Sequence, residues 1–361
     1  MHRYYPALDG VRSLAVGIVL AAHGGVSWFR SGGVGVDLFF VLSGFLITGI
    51  LAAETGATGR LNFRHFYIRR FLRLAPCLLV TCAFVAAWLL ATTGEAPVGP
   101  LLFALSYTAN WARALYDADL SWLTHCWSLA IEEQFYLLWP LVILVLERRV
   151  PEARTKAFLL VIGALLIAVY RAGLVGVATD ERIHYGLDTR MDSLMAGAAL
   201  AYFLRALPAD GLSEPASRLL GRVLAPGSLV VLLSIPQIVT WYSPWMGRYG
   251  YVIVATASAL LLADLTAGRH SLLRATFARG PLVFLGRISY GIYLLHLPIY
   301  FIVEQALPDW TLMQKLPLKL ALSLAAATAS YYAIERPCLR LKARFESRDD
   351  ATGPAPRRVA A

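Results

Sequence analysis

Apolar runs of about 17 or more residues recur along the whole chain, and they limit what it can fold into. About 20 consecutive apolar residues form a helix long enough to cross the hydrocarbon core of a bilayer. Hydrophobic residues make up 58% of the 361-residue sequence and charged residues only 16%, too few to cover the surface of a soluble protein of this length. The sequence therefore predicts an all-α, multi-pass protein of the cell (inner) membrane.

The basic residues fix a predicted topology. We predict ten membrane-spanning helices, at approximately 12–29, 35–53, 74–93, 126–146, 158–177, 190–206, 226–242, 249–266, 284–303 and 316–335. With the N-terminus inside, 24 of the 33 Lys and Arg residues fall in inside segments. Because cytoplasmic loops collect Lys and Arg, this bias favours an even number of spans with both termini in the cytoplasm.

One apolar stretch does not fit that scheme as a span. Residues 99–122 combine an apolar run with Trp and charged residues, and a span here would place the Arg-rich loops that follow outside. We predict an outer interfacial or re-entrant segment instead. Residues 1–342 then form one transmembrane domain. Residues 343–361, charged and then rich in Gly, Pro, Ala and Arg, are expected to form a disordered cytoplasmic tail.

Composition also bounds the partners. The net charge of +10 follows from basic inner loops and implies no nucleic-acid partner, whereas membrane lipid is an expected partner. The four cysteines lack metal-ligand spacing, so no metal site is predicted. No cleavable signal peptide is evident, because the first apolar segment carries two ionisable residues.

Those two residues, Arg12 and His23, bracket the first predicted span. Eleven residues are three helical turns plus about 20°, so both side chains share one face, roughly 16 Å apart along the axis. Ionisable groups inside a membrane segment are costly and indicate a functional site by default. The alternative is an anchoring Arg at the interface and a structural His that donates to a backbone carbonyl.

A second basic motif precedes the third span. Arg70 and Arg73 are three residues apart and project together if the helix begins here. Paired guanidiniums with neighbouring aromatic residues suit the phosphates of a nucleotide such as coenzyme A, or lipid headgroups. Positive-inside topology alone would also explain an Arg cluster at this end.

The fourth span opens with a polar stripe. Ser128, Glu132 and Tyr136 follow His125 at helical spacing. A Glu beside a His is the ordinary way to orient an imidazole and raise its basicity. Glu132 has the better position in the stripe, and Glu133 is a candidate partner of an Arg. A structural role for both carboxylates is the alternative.

Later spans repeat such features. Near the start of the sixth span lie Arg190 and Asp192. One prediction is that they form a site that faces an outer cavity. The alternative is that Asp192 only stabilises the first turn of the helix, where an acid interacts favourably with the helix dipole. In the ninth span, Arg287 and His296 point to opposite faces, whereas Tyr293 and His296 share one. We predict a structural role for Arg287 and leave that of His296 open. Gly and Pro in this span indicate close helix packing and a kink.

Together these motifs resemble acyltransferase family 3, membrane proteins that O-acylate sugars and other hydroxyl acceptors. The resemblance covers nearly the full chain. Its motifs, in order, are Leu8-Asp9-Gly10, Arg12 with His23, Val36-Asp37 followed by Phe39-Phe40 and Ser43-Gly44-Phe45, Arg70 with Arg73, Trp127-Ser128-Leu129, Glu132-Glu133-Gln134-Phe135-Tyr136, Arg190 with Asp192, Leu285-Gly286-Arg287 through His296, and Glu335-Arg336-Pro337.

The resemblance implies an acyl-CoA donor, usually acetyl-CoA, and an essential Arg and His in the first span. Acceptors in the family are O-antigens, exopolysaccharides, nodulation oligosaccharides, peptidoglycan and macrolides. Some members carry an appended extracytoplasmic SGNH esterase-like domain. The sequence has no room for one, which argues against a peptidoglycan acceptor of that two-domain type.

We therefore expect transfer of an acyl group, acetyl above all, from acyl-CoA to a hydroxyl of an extracytoplasmic or lipid-linked glycan. Arg70 and Arg73 would hold the donor's phosphates, and Arg12 would steer its thioester. His23, oriented by Glu132 or Asp37, would act as general base or carry the acyl group. Predicted substrate-binding residues are Ser128, Glu133, Tyr136, Arg190 and Asp192. Acyl-CoA is here a donor substrate, and no permanently bound cofactor is expected.

Two other readings stay open. A small hydrophobic acceptor such as a macrolide would use the same chemistry on a different alcohol. A proton-coupled transporter is the alternative from another class, because buried Arg, His and Glu also mark ion pathways. Against a transporter, no inverted repeat is visible and the basic inner loop has no obvious use there.

Overall fold

A computed structural model describes residues 4–342, which are almost wholly helical. The predicted tail at 343–361 lies outside these residues. The helices in the first half are α1 (Pro6–His23), α2 (Gly33–Thr58), α3 (Phe63–Thr93), α4 (Val98–Leu105), α5 (Ala109–Tyr116), α6 (Cys126–Arg149), α7 (Ala153–Leu174) and α8 (Asp180–Tyr185). Those in the second half are α9 (Leu187–Arg205), α10 (Glu214–Leu219), α11 (Ala225–Ile238), α12 (Tyr251–Ala267), α13 (Arg274–Phe277), α14 (Gly280–Arg287), α15 (Ser289–Ala306), α16 (Leu312–Ser330) and α17 (Arg336–Lys342).

Short turns of other helix types complete the chain. A 3₁₀ turn covers Ser121–Leu123, just before α6. Three π-helical turns cover Leu220–Leu224, Met246–Gly250 and Tyr331–Glu335. Each π turn continues into an α-helix, so α10 and α11 form one long helical segment, and Met246–Gly250 extends α12.

Fewer than ten helices in the described part of the chain have the length and hydropathy expected of a membrane span. Among residues 4–342, six helices are long and apolar enough to cross a bilayer, or seven if the bent pair α14–α15 counts as one span. All ten predicted segments overlap helices, but α1, α9 and α16 carry several ionisable residues, which lower their mean hydropathy. The prediction of ten spans is therefore not confirmed. The cytoplasmic location of the termini stays a prediction.

The outer surface of the bundle suits a lipid environment. On α7, Phe158, Leu166 and Val169 are each more than 60% exposed. A soluble protein would rarely present such a row of large apolar side chains to water. These faces support a multi-pass membrane protein.

The segment at 99–122 contains no spanning helix. Its helices α4 and α5 have eight residues each, about 12 Å of helix, too short to cross a bilayer of about 30 Å. They pack beside α6, where Gln134 Nε2 donates to the Tyr107 carbonyl over 2.7 Å. The prediction that this segment does not span is confirmed.

Glycines allow two pairs of helices to approach closely. A Cβ atom at Gly44 of α2 would lie 1.8 Å from the Leu194 carbonyl oxygen of α9, and one at Gly197 would lie 1.9 Å from the Val41 oxygen. A Cβ atom at Gly286 of α14 would lie 1.7 Å from the Asp9 oxygen of α1. The close packing predicted for this region is confirmed.

The chain bends by 67° between α14 and α15, at Ile288. The bend lies well ahead of Pro298, which sits inside α15. It turns Arg287 and Tyr293, on either side of the break, toward the same cavity.

The glycine contacts make a prediction about stability. Gly197→Ala should lower the melting temperature of the detergent-solubilised protein by several degrees, because its methyl group would overlap the Val41 carbonyl. Gly173→Ala is the matched control, since a Cβ atom there meets no neighbour within 4 Å and alanine favours the helix. Equal melting temperatures for the two variants would contradict the close α2–α9 packing.

Candidate active site

A cavity of about 610 Å³ lies between α1, α2, α3, α6 and the α14–α15 bend. This size lies within the usual range for small-molecule sites. Of the residues predicted from the sequence, six line it: Arg12, Arg70, Arg73, Ser128, Glu132 and Tyr136. The helical stripe of α6 and the Arg pair of α3, far apart in sequence, therefore face one space.

One wall of the cavity is built around Asp9. This carboxylate pairs with Arg12, one helical turn along α1. Its Oδ2 accepts a hydrogen bond from the Tyr4 hydroxyl over 2.7 Å, and the same hydroxyl accepts one from Arg287 Nη2 over 3.0 Å. The sequence analysis assigned Arg287 a structural role, but the side chain reaches the cavity wall.

Arg70 is held by aromatic rings. Its guanidinium carbon lies 5.3 Å from the centre of the Tyr136 ring and 5.8 Å from that of Phe66, within the range of cation–π attraction. Arg73 lines the same cavity one turn further along α3. Together with Arg12 and Arg287, these residues place four guanidiniums on the cavity wall, beside the carboxylates of Asp9 and Glu132. Glu335, which does not line the cavity, interacts electrostatically with Arg73. The cluster of guanidiniums on the wall suits an anionic ligand.

Glu132 faces the cavity but is engaged by α2. Ser43 Oγ donates a hydrogen bond to Glu132 Oε1 over 2.5 Å. Its neighbour Glu133 interacts electrostatically with Arg70, as expected for the partner of an Arg. Within the described part of the chain, Glu133 Oε1 is buried without a hydrogen-bond partner.

Two lining residues of the cavity, on α6 and α15, share a short hydrogen bond. Ser128 Oγ and Tyr293 Oη are 2.5 Å apart, and the Tyr293 hydroxyl also donates to the His125 carbonyl over 2.9 Å. The Tyr293 carbonyl accepts from His296 Nδ1 over 2.6 Å. Polar groups therefore continue past the end of the cavity.

His23 lies at the end of that polar series. It is the last residue of α1, it is exposed outside the cavity, and its Nδ1 is 3.0 Å from His296 Nε2. The sequence analysis expected Glu132 or Asp37 to orient His23. Among residues 4–342 neither carboxylate hydrogen-bonds to it, because Glu132 accepts from Ser43 and Asp37 is paired elsewhere.

Asp37 belongs to a buried charge network away from the cavity. Its Oδ1 is 2.7 Å from Arg190 Nη2, and both side chains are fully buried. Arg171 Nη1 is 2.6 Å from Asp192 Oδ2. The Arg190 guanidinium carbon is also 3.5 Å from the centre of the Tyr251 ring. The network ties α2, α7, α9 and α12 together.

This placement corrects the expected outer site at Arg190 and Asp192. Both residues are less than 5% exposed and face charged partners within the bundle. Asp192 also lines a second, mostly apolar cavity of about 670 Å³ between α7, α9 and α12. The geometry favours a role in holding the helices together for Asp37, Arg190 and Asp192.

Several residues at the site were not among the sequence-based candidates: Asp9, Ser43, Arg287, Tyr293 and His296. The signal for Tyr293 and His296 was present, since they share one helical face. Asp9 and Ser43 could be noticed in the sequence only because they belong to the motifs Leu8-Asp9-Gly10 and Ser43-Gly44-Phe45. Their partners come from other helices, which spacing along one segment cannot indicate.

A family model described as an acyltransferase domain matches residues 5–336. The chain belongs to acyltransferase family 3. The match covers every cavity-lining residue discussed above except Tyr4. The arginine-rich cavity and the His23–His296 pair therefore lie within the residues that the acyltransferase-domain model matches.

Named relatives of this acyltransferase are O-acetyltransferases. It is 36% identical over 311 residues to the peptidoglycan O-acetyltransferase OatA of Listeria monocytogenes serovar 1/2a. The aligned residues cover 82% of this chain and 49% of OatA. It is 32% identical to the putative peptidoglycan O-acetyltransferase YrhL of Bacillus subtilis, over 93% of this chain and 55% of YrhL. It is 30% identical to the O-acetyltransferase OatA of Staphylococcus aureus, over 93% of this chain and 57% of that relative.

The acyltransferase thus spans about half the length of the curated relatives it matches. No solved structure matches it. The roles of individual residues are therefore assigned from the contacts within the cavity and the bundle.

The buried charge network predicts a strong effect on stability. Arg190→Leu should lower the free energy of unfolding by about 3–5 kcal/mol, because it leaves Asp37 as an unpaired buried charge. Arg218→Leu is the control, because the ion pair of Arg218 with Glu214 is exposed. This substitution should change the free energy of unfolding by about 1 kcal/mol or less. Thermal unfolding in detergent would compare the two. Equal effects would contradict the role assigned to the network.

Proposed function

We propose that the protein transfers an acetyl group from acetyl-CoA to a hydroxyl of an extracytoplasmic glycan of the peptidoglycan type. The observation that carries this proposal is the polar series from the arginine-rich cavity, through Ser128 and Tyr293, to His296 and His23. It places an anion-binding site and a candidate base on neighbouring parts of the same helices, with His23 outside the cavity itself.

The cavity supports the donor half of the proposal. Arg70 and Arg73 present two guanidiniums on one face of α3, suited to the phosphates of coenzyme A. Arg12 lies across the cavity on α1, where it would meet the pantetheine arm or thioester. Tyr136 keeps the Arg70 guanidinium in place through its ring.

His23 supports the acceptor half. It lies eleven residues after Arg12, which is about 16 Å along α1, and its ring is exposed. We assign it the role of general base that takes the proton of the acceptor hydroxyl as the hydroxyl oxygen attacks the thioester carbonyl. The C–S bond breaks, coenzyme A leaves as the thiolate, and the proton can return to it. A brief acyl-imidazole on His23 would serve the same reaction in two steps.

The relatives support a glycan acceptor. Two of the three have names that specify peptidoglycan, which weakens the sequence-based argument against that acceptor. A macrolide-type acceptor and a proton-coupled transporter have no such support from the comparisons. O-acetylation of a glycan is therefore the function we propose.

The role of His23 predicts the result of an activity assay. Purified protein incubated with radiolabelled acetyl-CoA and cell-wall glycan should label the glycan, and His23→Ala should lower kcat about 10²–10⁴-fold through loss of the base. His65→Ala is the control, since His65 lies on α3 and does not line the cavity. Full activity of His23→Ala at normal expression would refute the proposal. Substrate flux in proteoliposomes without label transfer would favour a transporter.

The donor site predicts a different kinetic change. Arg70→Ala combined with Arg73→Ala should raise the apparent KM for acetyl-CoA about 10- to 100-fold, because charge-assisted hydrogen bonds to phosphate are lost. Arg64→Ala removes an exposed Arg of the same helix that does not line the cavity, and should leave KM unchanged. Steady-state kinetics with varied acetyl-CoA would measure both. An unchanged KM in the double variant would remove the donor site from α3.

A further inference from the structure

The His296 ring lies between a backbone carbonyl and His23. Its Nδ1 is 2.6 Å from the Tyr293 carbonyl oxygen, and its Nε2 is 3.0 Å from His23 Nδ1. The ring is fully buried, and its centre is 5.1 Å from that of His23. The positions of these atoms determine which nitrogens carry protons.

The protonation of His296 follows from its partners. A carbonyl oxygen only accepts hydrogen bonds, so His296 Nδ1, which faces the Tyr293 carbonyl, carries a proton. A second proton on Nε2 would create a buried cation. Within residues 4–342 no carboxylate hydrogen-bonds to this ring, so that cation would cost several kcal/mol. His296 is therefore neutral, and its Nε2 has a lone pair.

The protonation of His23 follows in turn. Since His296 Nε2 can only accept, His23 Nδ1 must be the donor of the hydrogen bond that joins the two rings. A neutral His23 then has no proton on its Nε2. The exposed ring of His23 thus keeps on Nε2 the lone pair that a general base requires.

We propose that His296 is a positioning residue that selects this tautomer of His23 and orients its ring for proton transfer. The inference rests on the proposed function, in which His23 is the base. His296 takes the place that a carboxylate commonly occupies behind a catalytic His, and it does so without adding a charge inside the bundle. In the described part of the chain, no other side chain hydrogen-bonds to His23.

Two variants of His296 separate positioning from packing. His296→Gln places an amide oxygen where it can still accept from His23 Nδ1, whereas His296→Leu keeps an apolar volume without an acceptor. His296→Leu should lower kcat at least about 10- to 100-fold with an unchanged KM for acetyl-CoA, the loss found when the hydrogen-bond partner of a metal-bound imidazole is removed. His296→Gln should keep most of kcat. Wild-type kcat in His296→Leu, or equal losses in both variants, would overturn the inference.

The same substitutions in a His23→Ala background test whether His296 acts through His23. If it does, His296→Leu should cause no further loss of activity there, whereas a structural role would lower the activity by the same factor in both backgrounds. Full activity of His23→Ala would refute the proposed function itself. Inactive His23→Ala together with fully active His296→Leu would refute only the positioning role.

Nitrogen-15 NMR of the histidine-labelled wild-type protein gives a readout that needs no variant to fold. Chemical shifts separate protonated from unprotonated ring nitrogens. His23 should show a protonated Nδ1 and an unprotonated Nε2 at a pH where activity is high. A protonated Nε2 with an unprotonated Nδ1 would contradict the inference.

Discussion

Ionisable groups inside an apolar helical bundle must find partners within it, and this constraint shapes the structure of this acyltransferase. An unpaired charge in such an environment costs several kcal/mol, more than many single packing contacts contribute. Asp37 with Arg190, and Arg171 with Asp192, satisfy the constraint by pairing across α2, α7 and α9. These pairs hold three helices in one register, and the glycine contacts between α2 and α9 bring the backbones close enough for the pairs to form.

The arginine-rich cavity shows the opposite arrangement. Here four guanidiniums and only two carboxylates, Asp9 and Glu132, line one open space, so the guanidiniums can reach a ligand. The network at Asp37 stabilises the fold, whereas the guanidiniums on the cavity wall form a candidate binding site. The two arrangements share one bundle and lie on different faces of α2, whose Asp37 faces the network and whose Ser43 reaches the cavity.

The sequence predicted the parts of this structure that depend on local pattern. Apolar runs predicted a helical membrane protein, and helical spacing predicted that Ser128, Glu132 and Tyr136 would face one side of α6. Both predictions are confirmed. The count of ten spans is not confirmed, because charged residues in α1, α9 and α16 lower the mean hydropathy of these helices. Ion pairs such as Asp37–Arg190 and Lys319–Glu304 neutralise several of these charges.

The partners of buried groups were beyond the sequence for a physical reason. Asp37 is paired with a residue 153 positions away, and His23 with one 273 positions away. Such contacts depend on which helices are neighbours, and no periodicity within one segment encodes that. The resemblance named candidate residues, and the packed structure places them in the cavity, in the charge network or in the histidine pair.

If the cavity and His23 serve one reaction, the protein moves an acetyl group across the membrane. Proteoliposomes test this most directly, with the protein in a single orientation, the predicted cytoplasmic face outside, glycan acceptor trapped in the lumen and radiolabelled acetyl-CoA added outside. Label should appear on the lumenal glycan. Label transfer only when acetyl-CoA and glycan are on the same side would show that the cavity and His23 do not act together across the bilayer.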